Sequence, residues 1–187
     1  DKVQNVVIDL SDSYKYFVKS YFPNARIIAD KFHVLRLLNP AINRRRIGIT
    51  GDKRNLQIRR LLLKSGFKLD YLTRNMIHRW LENYPELKEV YQYKEALFRI
   101  YRCRGYNKAR KALLNMINSM ASSKIKEVMT LRGTLQKWFN EILFYFKTRI
   151  TNARTEAFNN HAKLIQRKAY GFKSFGNYRL RLLNACS

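Results

Sequence analysis

Three carboxylates in the 187-residue sequence stand where surface charge is hard to explain. Asp9 closes the β-branched apolar run within "VQNVVIDL" (3–10), and Asp30 closes a second one, "ARIIAD" (25–30). Glu156 is the single acidic residue of "NARTEAFNNHAKLIQRKAYGF" (152–172), inside a tail that from Thr151 onward has seven Lys/Arg and no other carboxylate. Each has a plain role open to it. A strand-end Asp commonly caps the helix that follows, and a Glu near a helix start complements the helix dipole. Taken as a set they suit another chemistry, because hard carboxylate oxygens hold Mg²⁺ and Mg²⁺ so held polarises phosphate. His33, three residues after Asp30, adds an imidazole. One His with one Asp makes a weak zinc site, so a structural or supporting role is expected of it.

The neighbouring sequence must position these groups. Between the two apolar runs, "SDSYKYFVKSYFPNA" opens on Ser and Asp capping residues, carries Tyr14, Phe17, Val18 and Tyr21 at helical spacing, and stops at Pro23-Asn24. This predicts a βαβ unit with two short parallel strands near 3–9 and 25–29 and a right-handed crossover. Asp9 and Asp30 then stand at the carboxyl ends of adjacent strands, where open α/β sheets place their ligands. Two strands alone are not stable, so further partners for the sheet are expected.

Everything after Asp30 reads as helix, which makes the fold class α/β but predominantly helical, with more than half the residues in helices. "KFHVLRLLNPAINRRR" opens a basic helix with a kink expected at Pro40, and "GDKRNLQIRRLLLKSG" runs from an Asp52 cap to a Gly66 stop. Further helices are expected at about 68–83, 85–102, 106–120 and 123–149. In the last, Leu135, Trp138, Phe139, Ile142, Leu143 and Phe146 follow the spacing of a single buried face. In a helix from Ala153 to Lys168, Glu156, Asn160, Lys163 and Arg167 share one stripe, while Phe158, Ala162, Ile165 and Ala169 form a second, which is expected to pack.

Charge points to the partner. Thirty-eight Lys+Arg against 13 Asp+Glu give +25, far beyond what solubility needs, and predict a polyanion, with nucleic acid first. An acidic membrane would call for a polybasic cluster beside an amphipathic or lipid anchor. Here the charge is spread along the chain, with no spanning apolar run and no signal peptide, so no membrane partner is expected. Residues 41–80 are the densest stretch, eleven basic against two acidic, and Arg44, Arg45, Arg46, Arg59 and Arg60 are the expected phosphate contacts; a merely solvated helix face is the plainer reading. Trp138, on the apolar stripe, reads as core, and Trp80 as core or a base-stacking surface. Cys103 and Cys186 lack metal or redox spacing and read as reduced thiols of a soluble, non-exported protein. The chain opens at Asp1 without Met and runs almost directly into a strand, which suggests the carboxyl-terminal part of something longer.

Two stretches, "VVID…Y…FPNARIIADKFHVLRLLNPAINRRR" and "TNARTEAFNNHAKLIQRKAYGFKSFGNYRLRLL", resemble the DDE-class transposases of bacterial insertion sequences, in the ISL-three-type branch. The resemblance covers nearly the whole chain. "ADKFHV" followed by "TEAFNN" and "KAYGF" is its most specific part, and the helical middle matches only in character. It implies a ribonuclease-H-like sheet carrying an Asp-Asp-Glu triad, interrupted before the Glu by an all-helical insertion. Residues 1–40 would be part of that core, 41–150 the insertion, and 151–187 the return carrying the triad glutamate, with both carboxylates facing one cleft. Glu156 matches the triad glutamate and Asp9 the second aspartate, with Asp30 as the alternative. Asp30 and His33 match an Asp-x-x-His signature, and the first aspartate would lie upstream of this sequence. Asp9 and Glu156 would then be catalytic residues and ligands of two Mg²⁺ (or Mn²⁺) ions, with Asn160 in support and Lys163 and Arg167 on the DNA backbone. The partners implied are transposon ends and target DNA, bound as a homodimer or higher oligomer at the bacterial nucleoid in the cytoplasm. Two other classes stay open: a non-catalytic basic helical module that only binds nucleic acid, and a ribonuclease-H-like nuclease that stops at hydrolysis.

Overall fold

The computed structural model describes residues 2–51, 53–54 and 56–186, the side chains of Leu56 and Cys186 excepted. It divides into two compact units, one running to Arg149 and one beginning at Ile150. About 73% of the described residues are helical, so the predominantly helical expectation holds.

The first unit opens on β1 (Asn5–Ile8), α1 (Asp12–Tyr21) and β2 (Arg26–Ala29). The strands pair in parallel, Asn5 opposite Arg26 through Ile8 opposite Ala29, and form the one sheet among the described residues. Ile27, Ile28 and Ala29 are buried, as expected of a strand covered on both faces.

Helices follow: α2 (Lys31–Arg36), α3 (Asn39–Thr50), α4 (Leu56–Leu63), α5 (Tyr71–Glu82), α6 (Pro85–Tyr101), α7 (Tyr106–Ser119), α8 (Lys126–Lys137) and α9 (Phe139–Thr148). Pro40 does not kink a continuous helix. It sits in the first turn of α3, where its missing N–H has no intrahelical bond to lose, and α2 has already ended. Gly66 does not stop α4 either, but opens a short 3-10 turn, Gly66–Lys68; the Asp52 cap expected for α4 lies outside the described residues. A single helix over 123–149 would run about 40 Å. Instead the chain breaks at Trp138 (φ −105°, ψ 18°), and α9 turns onto β2, burying Ile142, Leu143, Tyr145 and Phe146. Leu135 ends on α8, and Trp138 is 2% exposed with the Lys15 ammonium 4.7 Å from its ring centre, so it is core.

Helix α6 is the axis of this unit, burying Leu87, Val90, Tyr91, Leu97, Ile100 and Tyr101 against its neighbours. Among them lies Lys94, fully buried, whose Nζ donates to the carbonyls of Leu62 and Lys64, both at 2.7 Å, and pairs with Glu95 Oε1 at 2.7 Å. Burial lowers the Lys94 pKa, and the Glu95 carboxylate works against that shift. Glu95 also accepts the Gly66 N–H at 3.0 Å, so one Lys–Glu pair ties the α4–α5 connection to α6.

The second unit is a helical hairpin, α10 (Ala153–Lys168) and α11 (Phe175–Cys186). Its turn uses positive φ at Tyr170 (49°) and Gly171 (100°) and is packed by Phe172 and Tyr178, whose ring centres are 5.3 Å apart.

Candidate metal and phosphate site

Register makes the first part of this site. Because Ile8 lies opposite Ala29, Asp9 and Asp30 follow their strands side by side, and the Asp30 N–H donates to the Ile8 carbonyl at 2.8 Å. The two carboxylates then part in function. Asp30 is fully buried and caps α2, its Oδ2 accepting the N–H groups of Phe32 at 3.0 Å and His33 at 3.3 Å. Asp9 caps nothing, because α1 is capped by Ser11, whose Oγ accepts the Tyr14 N–H. The Asp9 side chain is 44% exposed and turns to His33 instead.

His33 Nδ1 lies 3.0 Å from Asp9 Oδ1 and 3.1 Å from Asp30 Oδ2. A lone pair aimed at two carboxylates would be repelled, so Nδ1 carries the hydrogen that both oxygens share. One ligand atom from each of Asp9, Asp30 and His33 lies within 4.8 Å of the others, the spacing of a small cation's ligand shell. The two carboxylate oxygens are the hard donors that suit Mg²⁺ or Mn²⁺, whereas an imidazole suits softer divalent metals, so His33, its Nδ1–H shared between Asp9 and Asp30, fits the role of a hydrogen-bonding support for the carboxylates.

Glu156 belongs to the second unit. It occupies the first turn of α10, exposed, with its N–H bonded to the Asn152 carbonyl at 2.8 Å. Asn160, Lys163 and Arg167 follow it, all exposed, on the stripe read from the sequence. The opposite stripe is covered less than expected: α10 has no buried residue, and Phe158 remains 44% exposed.

The basic stretch is sorted by the fold. Arg44, Arg59 and Arg60 are exposed and available to phosphate. Arg46 is not: it is fully buried, reaching Asn43 Oδ1 at 3.2 Å and Thr50 Oγ1 at 3.5 Å, which corrects its reading as a DNA contact. Its position four residues after the fully buried Ile42 puts it on the inner face of α3. Arg45 is held by Glu86 and by Glu127, the latter at 2.8 Å. Its hydrogen bond to Glu127 raises the Arg45 pKa, and the same bond lowers that of Glu127. Lys64, not singled out in the sequence, lines an open groove of about 1170 Å³ with Arg59 and Arg60. Its spacing of four from Arg60 was the available signal. Trp80 is half-buried, its ring centre 4.9 Å from that of Tyr84.

No described helix is long and apolar enough to cross a membrane. A family model described as a transposase, of the DDE class and the ISL-three branch, matches residues 1–182. The transposase of insertion sequence element IS1001 from Bordetella parapertussis is 25% identical over 183 residues, covering 92% of this chain and 45% of that protein. A Lactococcus lactis subsp. lactis protein named ATP-dependent protease is 32% identical over 110 residues, 58% of this chain and 34% of its own length. The chain thus spans less than half the length of either relative. No solved structure matches it significantly.

Proposed function

The chain belongs to the ISL-three branch of the DDE transposases, and on that premise we propose that it forms part of a catalytic core which, within a longer protein, cuts DNA strands and joins them to new partners. In this reading residues 1–40 belong to a ribonuclease-H-like core, 41–150 are a helical insertion, and 151–187 bring the triad glutamate. The protein works on transposon ends and target DNA in the bacterial cytoplasm, as a homodimer or higher oligomer. The observation that carries it is Asp9: a strand-end carboxylate relieved of capping by Ser11 and turned to the Asp30–His33 pair. A binding-only module would leave Asp9 no such task.

Asp9 and Glu156 are the catalytic carboxylates and ligands of two Mg²⁺ or Mn²⁺ ions. Asp30, buried and fixed by the α2 backbone, holds the His33 ring in place. Divalent metal bound here supplies Lewis-acid polarisation of a phosphodiester and an activated oxygen nucleophile. Exposed Arg44, Arg59, Arg60, Lys163 and Arg167 hold the backbone phosphates, contacts that position DNA without reading its sequence. Asn160 lies on the same stripe as Glu156, within reach of the same strand.

In the longer protein, Asp9→Asn and Glu156→Gln each keep side-chain size and remove one charge, and each is expected to abolish strand cleavage while DNA binding persists. Gel assays of cleavage and binding on the same samples decide it. Undiminished cleavage by either variant removes that residue from the triad.

A further inference from the structure

Beside the Asp30 cluster lies a cavity of about 330 Å³ that the carboxylate chemistry does not use. Phe32, Phe67, Phe98 and Tyr101 line it with aromatic rings. Lys31, Arg36, Lys68 and Arg102 line it with cations, and no carboxylate contributes. Two of its lining residues hold buried polar atoms without a hydrogen-bond partner, the Asn39 Oδ1 and the Tyr101 hydroxyl. Tyr101 is 4% exposed; burial pushes its phenol pKa up and the charge of Asp30 adds to the shift, so the cavity and the carboxylate cluster are electrostatic neighbours. Phe67 is 63% exposed despite its size, and the Arg102 guanidinium carbon lies 3.2 Å from its ring centre.

We propose that this cavity receives a single unpaired nucleobase of the bound DNA. The volume lies in the range of small-ligand sites. Base faces stack on aromatic rings and guanidinium planes irrespective of sequence, and Phe67 with Arg102 offers both. The surrounding cations match the phosphates on either side of an extruded nucleotide. Lys31 and Phe32 directly follow Asp30 in the chain, so the pocket would hold a base beside the phosphodiester that the carboxylates address.

The inference rests on the DNA reading above, and its test separates the two. The 187-residue chain is titrated with a fully paired duplex and with the same duplex carrying one unpaired 2-aminopurine, following anisotropy and base fluorescence. The wild type is expected to prefer the unpaired-base duplex. Phe67→Ala, an exposed position whose change spares the core, should lower that preference by about 5- to 150-fold, the range for stacking on one base, and leave paired-duplex affinity unchanged. Equal affinity of the wild type for both duplexes, or a preference that survives in Phe67→Ala, overturns the base pocket alone. Failure to bind either duplex overturns the DNA reading and this proposal with it.

Discussion

Asp9 and Asp30 look alike in sequence, each closing an apolar strand, and the fold separates them by a neighbour: Ser11 caps the helix after the first, whereas nothing but Asp30 itself caps the helix after the second. Lys94 fastens the α4–α5 connection to α6 from within the core. Replacing it with Met leaves the Leu62 and Lys64 carbonyls without their donor and Glu95 without its cation. Each buried carbonyl left without its donor costs about 1–3 kcal/mol, and a lowered urea midpoint at unchanged slope measures it. Glu127 brings a pH dependence. Its folded pKa is lowered by Arg45, so its contribution is present above the ordinary carboxylate pKa and is lost as pH falls through the depressed folded value. Arg45→Met is expected to flatten the acid limb of a stability–pH curve. Residue placement was partly legible: Asp9 and Asp30 stood out as strand-end carboxylates and do come together, whereas the burial of Arg46 was missed because a run of three arginines masks the one that shares a face with Ile42.

At the scale of elements, the βαβ unit was legible because its signals are local: two β-branched runs, a capped helix between them, and a Pro-Asn stop. The helical boundaries were less so. Pro40 and Trp138 both mark places where one helix ends and another begins, and the turn at Trp138 is set by β2, which lies more than a hundred residues away in sequence. Local periodicity holds no record of such a contact. The connection from α6 to α7 depends on Gly105, at φ 91° and ψ 147°, a conformation that side chains strongly disfavour. A Cβ there meets no neighbouring atom, so Gly105→Ala isolates the backbone term. It is expected to cost about 1–3 kcal/mol, read from thermal unfolding.

For the whole molecule, a charge of +25 points to a polyanion but not to the surface that would meet it. The fold removes Arg46 to the interior and commits Arg45 to Glu86 and Glu127, leaving Arg44, Arg59 and Arg60 outermost. Changing those three together to Ala should weaken DNA binding for every sequence and flatten the plot of log K against log salt, by up to about 0.9 for each phosphate no longer neutralised. Arg46→Ala should leave that slope alone and lower stability instead. A slope unchanged in the triple variant would move the footprint elsewhere on the chain.

The seating of Lys94 also makes it a reporter. An amine held by three oxygens and shut away from water cannot be acylated in the closed state. Reagent reaches it only when α6 parts from the α4–α5 connection, so its labelling rate, set against that of an exposed lysine such as Lys64, measures how often the helical unit opens. If DNA binds across this unit and steadies it, that one amine should become slower to react while lysines far from the bound strand keep their pace.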